Sequence, residues 1–173
     1  GVNYALLLTT NAGLWAYSIG DTVKFVSKDP YRIIVSGRIK HFISAFGEHV
    51  IGEEVEYALA KGLAKVPCNI IEFTVAPMIQ VAQGLPYHEW LIAFEQVPEN
   101  LEQLAKEIDL ALQEKNVYYK DLLSGGILQT LQISVLPKDA FIQYMKAQGK
   151  LGGQNKVPRL SNDRQIAESL LSL

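Results

Sequence analysis

The chain opens with four short runs of β-branched, aromatic and aliphatic residues: "YALLLTT" (4–10), "LWAYSI" (14–19), "TVKFVS" (22–27) and "YRIIVSG" (31–37). "NAG", "GD" and "KDP" separate them, and each is good turn chemistry. Connections this short cannot cross over to a parallel partner, so the runs predict an antiparallel β-meander. A sheet this small needs a neighbour to cover it.

After Gly37 the period changes. "HFISA" and "HVI" read as extended. From Gly52, "GEEVEYALAKGLAK" carries acids in its first turn and lysines toward its end, as a helix dipole favours. Val55, Leu59 and Leu63 share one face. Two strands follow, at 68–81 and 88–97, joined through Gly84-Leu85-Pro86. Residues 98–115 predict a helix that starts at Pro98 and presents Leu101, Leu104, Ile108 and Leu112 on one side. A helical turn closed by Gly125, a strand over 127–136 and an amphipathic helix over 138–148 stopped by Gly149 come next. A Gly-rich basic loop and a short helix end the chain. From His41 this order matches a split β-α-β, ferredoxin-like pattern. The expected class is α+β: a meander, then a mixed sheet with helices mainly on one face.

Composition narrows the partners. The 173 residues are 49% hydrophobic, enough for a sizeable core, and the net charge of −2 argues against a nucleic-acid partner. No apolar run is long enough to cross a bilayer, so no membrane partner is expected. The one cysteine, Cys68, forms no internal disulfide; with apolar neighbours it reads as a structural thiol in a reducing, cytoplasmic compartment. The chain enters strand-like sequence directly at Gly1, and the expectation is a piece of something longer.

Polar groups gather at three places. In "YSIGD" (17–21), Asp21 follows a glycine at a strand end, where its two oxygens can accept from a ribose diol; the same Gly20-Asp21 pair suits a plain hairpin turn. In "SGRIKHFISAFGEHV" (36–50), Arg38 offers a planar fork of donors, and Lys40 stands where a hinge could absorb a rotation. Gly47 permits backbone conformations other residues avoid. Glu48 and His49 could be polar contacts, and the whole stretch is equally an exposed basic loop. In "GGQNKVPRL" (152–160), Lys156 stands behind two glycines, either as a solvated tail or as a mobile cation that could neutralise charge when a carboxylate attacks phosphorus. No pattern here is a P-loop, and no metal site is read from the spacing.

The order of these clusters is more specific than any one of them. Tyr17, Gly20 and Asp21, then Gly37, Arg38, Lys40, Ile43, Gly47, Glu48, Val50 and the acids Glu53, Glu54 and Glu56 around Val55, then Lys156, together resemble the adenylate-forming enzyme superfamily. The "NKVPR" run is similar to that of the plant auxin-responsive acyl-acid-amido synthetases and their bacterial relatives. Gly52 stands where the superfamily has a proline, and the lysine loop lacks the Ser-Gly-Lys form of acyl-CoA ligases.

The resemblance implies an enzyme that joins a small carboxylic acid to AMP using Mg-ATP and transfers the acyl group to an amino acid or other amine. It implies that residues 1–39 are terminal strands of a large N-terminal domain and that 40–173 form a mobile C-terminal cap. Tyr17, Asp21 and Arg38 would bind the nucleotide, Lys40 would lie at the hinge, and Lys156 would be catalytic. ATP and Mg would be held mainly by the N-terminal domain, which leaves this chain alone without turnover. The alternatives are another adenylate-forming ligase, such as one making a CoA thioester, and a non-catalytic ferredoxin-like module that binds a ligand or dimerises.

Overall fold

The computed structural model describes residues 2–39, 42–150, 152 and 156–173, and of Arg38 the backbone. The first apolar runs form strands Tyr4–Leu8 (β1), Tyr17–Lys28 (β2) and Tyr31–Arg38 (β3), paired antiparallel in the order β1-β2-β3. This is the predicted meander with one difference. Residues 17–28 are a single strand, and Gly20-Asp21 does not turn the chain. Gly20 has φ +84°, and β2 bulges around it: β1 advances from Ala5 to Leu7 while β2 runs from Thr22 to Ser18. A glycine that supports a hairpin turn supports a bulge equally well.

Phe42–Ile43 (β4) and Val50–Ile51 (β5) pair antiparallel as a separate two-stranded sheet. They lead into Gly52–Lys65 (α1), where the Glu54 carboxylate reaches back to the Ile51 N–H at 3.0 Å, as in a capping box. Strands Ile70–Met78 (β6), Tyr87–Phe94 (β7) and Gln132–Leu136 (β8) form a mixed sheet in that order. β6 and β7 are antiparallel, and β7 and β8 are parallel through helices Leu101–Lys115 (α2) and Val117–Ser124 (α3). Helices Ala140–Ala147 (α4) and Gln165–Leu171 (α5) complete the α+β architecture.

β7 is buried along His88–Phe94, so both its faces are core. Trp90, Ile92 and Phe94 pack with Phe73 and Val75 against α1 and α2, where Val55, Leu59, Leu104, Ile108 and Leu112 meet them. Leu91 and Ala93 pack with Ala76 and Leu136 against Ala140, Phe141, Ala167 and Leu170. The two long helices therefore cover one face, and the short α4 and α5 cover the other.

Several boundaries differ from expectation, two of them for a reason the hydrogen bonds show. α2 begins at Leu101, not at Pro98, because the Asn100 side chain accepts from the Gln103 N–H at 3.1 Å and caps it. β8 is shorter than the apolar run: Leu128 and Leu131 are buried, but the Gln129 N–H goes to Pro86 O and the Leu131 N–H to Asp109 Oδ1 rather than to a ladder. No described helix is long and apolar enough to cross a membrane.

Candidate functional site

The two front motifs meet on neighbouring strands. Asp21 of β2 stands opposite Arg38 of β3, and Thr22 opposite Gly37. The Ile39 N–H donates to Gly20 O at 2.8 Å, which fastens the end of β3 to the bulge. Ser36 Oγ lies 3.2 Å from Thr22 Oγ1 one step along. Tyr17 begins the same strand opposite Leu8 and is half exposed. A carboxylate carried on a bulged strand can accept from a pair of neighbouring hydroxyls.

A cleft of about 270 Å³ lies between this sheet and β4–β5, lined among others by Asn3, Thr22, Gly37, Phe42, His49 and Ile51. Lys24 of β2 bridges across to Glu53 of α1 at 2.6 Å. Lys40, the expected hinge position, lies outside the described residues.

The loop from Ser44 to His49 is built on a buried polar network. Gly47 and His49 both have positive φ, +95° and +46°, which turns the Glu48 side chain inward and leaves His49 exposed, with its ring 4.9 Å from that of Phe42. Glu48 and His88 are fully buried, with Glu48 Oε1 2.8 Å from His88 Nε2. Glu48 Oε2 accepts from the Phe46 N–H at 2.9 Å. Burial pushes the Glu48 carboxyl up, but the His88 hydrogen bond and the backbone donors outweigh it and hold the group below its ordinary range. An ionised carboxylate only accepts, so His88 donates through Nε2; the buried Nδ1 has no partner among the described residues.

Asn116 extends the network, donating to Glu48 O and Glu54 Oε2, each at 3.0 Å, and accepting from the Tyr119 N–H. Tyr119 in turn donates to the buried Asp109 at 2.6 Å, and burial together with that carboxylate raises its phenol well above the usual value. His88, Asp109 and Asn116 carry no signal in the sequence, because their partners are up to 68 residues away.

Lys156 is exposed and lines a cavity of about 250 Å³ with Ile71, Glu72, Lys138, Phe141 and Lys150; none of its lining residues comes from the meander. Gly153, Gln154 and Asn155, part of the expected mobile loop, lie outside the described residues. The chain just past Lys156 is not loose. Val157 and Leu160 are buried, and residues 159–161 run beside β6 through Val75 N–H to Arg159 O at 2.9 Å and Ser161 N–H to Val75 O at 3.0 Å. The structure thus brings Asp21 and the Arg38 backbone together and holds Lys156 on a different element. Cys68 is half-buried, and burial pushes its thiol up, away from the reactive thiolate form.

A family model described as the GH3 family C-terminal domain matches residues 53–165, and one described as the GH3 family central domain matches residues 1–38. Among solved structures, the chain is similar to a GH3.15 acyl acid amido synthetase, with 18% identity and a TM-score of 0.77 over 98% of this chain and 32% of that one. It is similar also to an AtGH3.15 acyl acid amido synthetase in complex with 2,4-DB, with 17% identity and a TM-score of 0.73 over the same shares. At such identity the likeness is one of fold. The chain spans 32% of the length of these structures. No curated protein sequence matches it.

Proposed function

The chain belongs to the GH3 family, and on that premise we propose that it is the C-terminal portion of an ATP-dependent acyl-acid amido synthetase. The observation that carries the reading is the register of β2 and β3, which sets Asp21 opposite Arg38 although seventeen positions separate them in sequence. In this reading the Asp21 carboxylate accepts the ribose hydroxyls, and Tyr17 and Arg38 complete the nucleotide contact. Residues 1–39 are the end of the larger domain, and 40–173 are the cap. Residues 39–52, which neither family match covers, hold the hinge near Lys40.

The chemistry has two steps. A carboxylate oxygen of a small acid attacks the α-phosphorus of ATP, pyrophosphate leaves, and an acyl adenylate forms. The amine of an amino acid or related acceptor then attacks the acyl carbon, and AMP and a proton leave. The two steps need different polar groups at one centre, and a rotating cap supplies them in turn while it excludes water from the labile anhydride. Lys156 comes to the centre in one orientation and offsets the charge on phosphorus. Mg enters with ATP, and no side chain of this chain is assigned to it. The remainder of the ATP site belongs to the N-terminal part, in a cytoplasmic enzyme. A small acid as substrate fits the 2,4-DB complex of the similar structure.

The test is ATP–pyrophosphate exchange on the full-length protein with a panel of small carboxylic acids, followed by acceptor screening. Exchange with one or more acids, then turnover with amino acids, is expected. Turnover with CoA and none with amines would make the amido-synthetase reading wrong.

A further inference from the structure

The segment after Lys156 is clamped along its whole length. Arg159 uses its backbone and its side chain at once. Its carbonyl accepts from the Val75 N–H at 2.9 Å, and its guanidinium donates to Phe73 O at 3.3 Å. The same guanidinium pairs with Glu72 of β6, lies 3.8 Å from Glu56 of α1 and stacks 4.5 Å from the Phe73 ring centre. On either side of Pro158 and Arg159, Val157 and Leu160 are buried pegs, and Thr74 Oγ1 donates to Pro158 O at 2.7 Å. Two residues further on, Asn162 Oδ1 accepts from the Ser44 N–H at 2.8 Å, so the segment also touches the opening stretch just past position 40.

A planar five-donor group engaged with a carbonyl, a carboxylate and an aromatic face fixes register as a flexible cation cannot. It stands three positions from Lys156, a reach of roughly 10 Å at full extension.

We infer that residues 157–162 form a rigid strap and that Arg159 is the positioning residue for Lys156, setting where its ammonium stands relative to β6 and, through Asn162, relative to the hinge-side loop. This rests on the adenylation role read for Lys156 above. Lys156 is then delivered by rotation of a body to which it is fastened, rather than by the wandering of a loose tail.

The experiment uses the full-length enzyme and compares Arg159→Lys, which keeps the charge but loses the planar fork, alone and with Lys156→Ala. Arg159→Lys is expected to slow ATP–pyrophosphate exchange about tenfold, as for one charge-assisted hydrogen bond lost, with the KM for ATP within about twofold. Amide formation from a supplied adenylate stays at the wild-type rate. In the Lys156→Ala background the same change costs nothing further, because the group it positions is gone. An equal loss in both backgrounds, or in both half-reactions, overturns the positioning role and leaves the reading of Lys156 intact. Exchange at the wild-type rate in Lys156→Ala alone sinks that reading, and this inference with it. Tryptic cleavage after Lys156 supplies a readout free of turnover. Asn162→Ala and Arg159→Lys should both speed it at a temperature where each variant is fully folded, and an unchanged cleavage rate in both means that the strap does not hold the lysine.

Discussion

Glu48→Gln tests whether the buried pair beneath the 44–49 loop carries the stability its geometry implies. Glu48 uses separate oxygens for two donors, His88 Nε2 at 2.8 Å and the Phe46 N–H at 2.9 Å, and the side chains of the pair are fully buried. Glutamine keeps one acceptor oxygen and turns the other site into a donor, so one of the two N–H groups loses its partner. An orphaned buried donor costs about 1–3 kcal/mol, and replacing a charged acceptor by a neutral one at the surviving bond costs about 1 kcal/mol more. The expected loss is therefore about 2–4 kcal/mol at neutral pH, read by urea unfolding with an unchanged m-value.

The pH dependence gives a second readout. The folded carboxyl is held below its ordinary range, so the unfolded chain takes up this proton at a higher pH than the folded one. The contribution is complete above the ordinary glutamate value of about 4.3, and is lost as pH falls through the lowered folded value. Glu48→Gln should remove that part of the acid limb, so the wild type loses stability more steeply than the variant below about pH 4.3. A cost under about 1 kcal/mol, or parallel acid limbs, would show that the pair is not the anchor described.

Three other outcomes are expected. Asp21→Ala in the full-length protein should raise the KM for ATP about tenfold in pyrophosphate exchange, as for a lost bond to a charged acceptor, and an unchanged KM would remove Asp21 from the ribose contact. Lys40→Pro, which fixes φ, should slow one half-reaction and spare the other; unchanged rates for both would move the hinge elsewhere. Gly62→Ala should lower the melting temperature although alanine favours a helix by about 1 kcal/mol. A Cβ there would stand 2.5 Å from Ile108 Cγ1 and 3.3 Å from Leu104 Cδ1, where α1 crosses α2, and overpacking of that kind costs about 1–3 kcal/mol. A higher melting temperature would mean that the two helices part without cost.

Local chemistry was legible where one segment settles its own conformation. The acids and lysine at the ends of α1 and the Leu104–Ile108–Leu112 stripe of α2 follow from dipole and period alone. Gly20-Asp21 was ambiguous because a turn and a bulge ask for the same backbone freedom, and pairing with β1 and β3 decides between them. The run 127–131 reads as strand because it leads without a break into the alternating Leu131, Ile133 and Val135, yet the Gln129 and Leu131 N–H donors are spent on Pro86 and Asp109. The contacts just past Lys156 were not legible, since nothing local to "KVPRL" announces that Glu56, Glu72 and Phe73 await Arg159.

By itself the sequence determined the residue types and their order: an acid after a glycine, an arginine after a glycine, a late lysine, and the helical and extended periods between them. Those are properties of neighbours along the chain, governed by propensity and spacing. Tertiary packing alone decided that Asp21 stands opposite Arg38, that Glu48 meets His88 inside the core, and that Asn162 reaches Ser44 across 118 positions. The Glu48–His88 and Asn162–Ser44 bonds join groups far apart in sequence, because a buried or long-range hydrogen bond selects its partner by where packing leaves an unmet donor, and no local preference encodes that place.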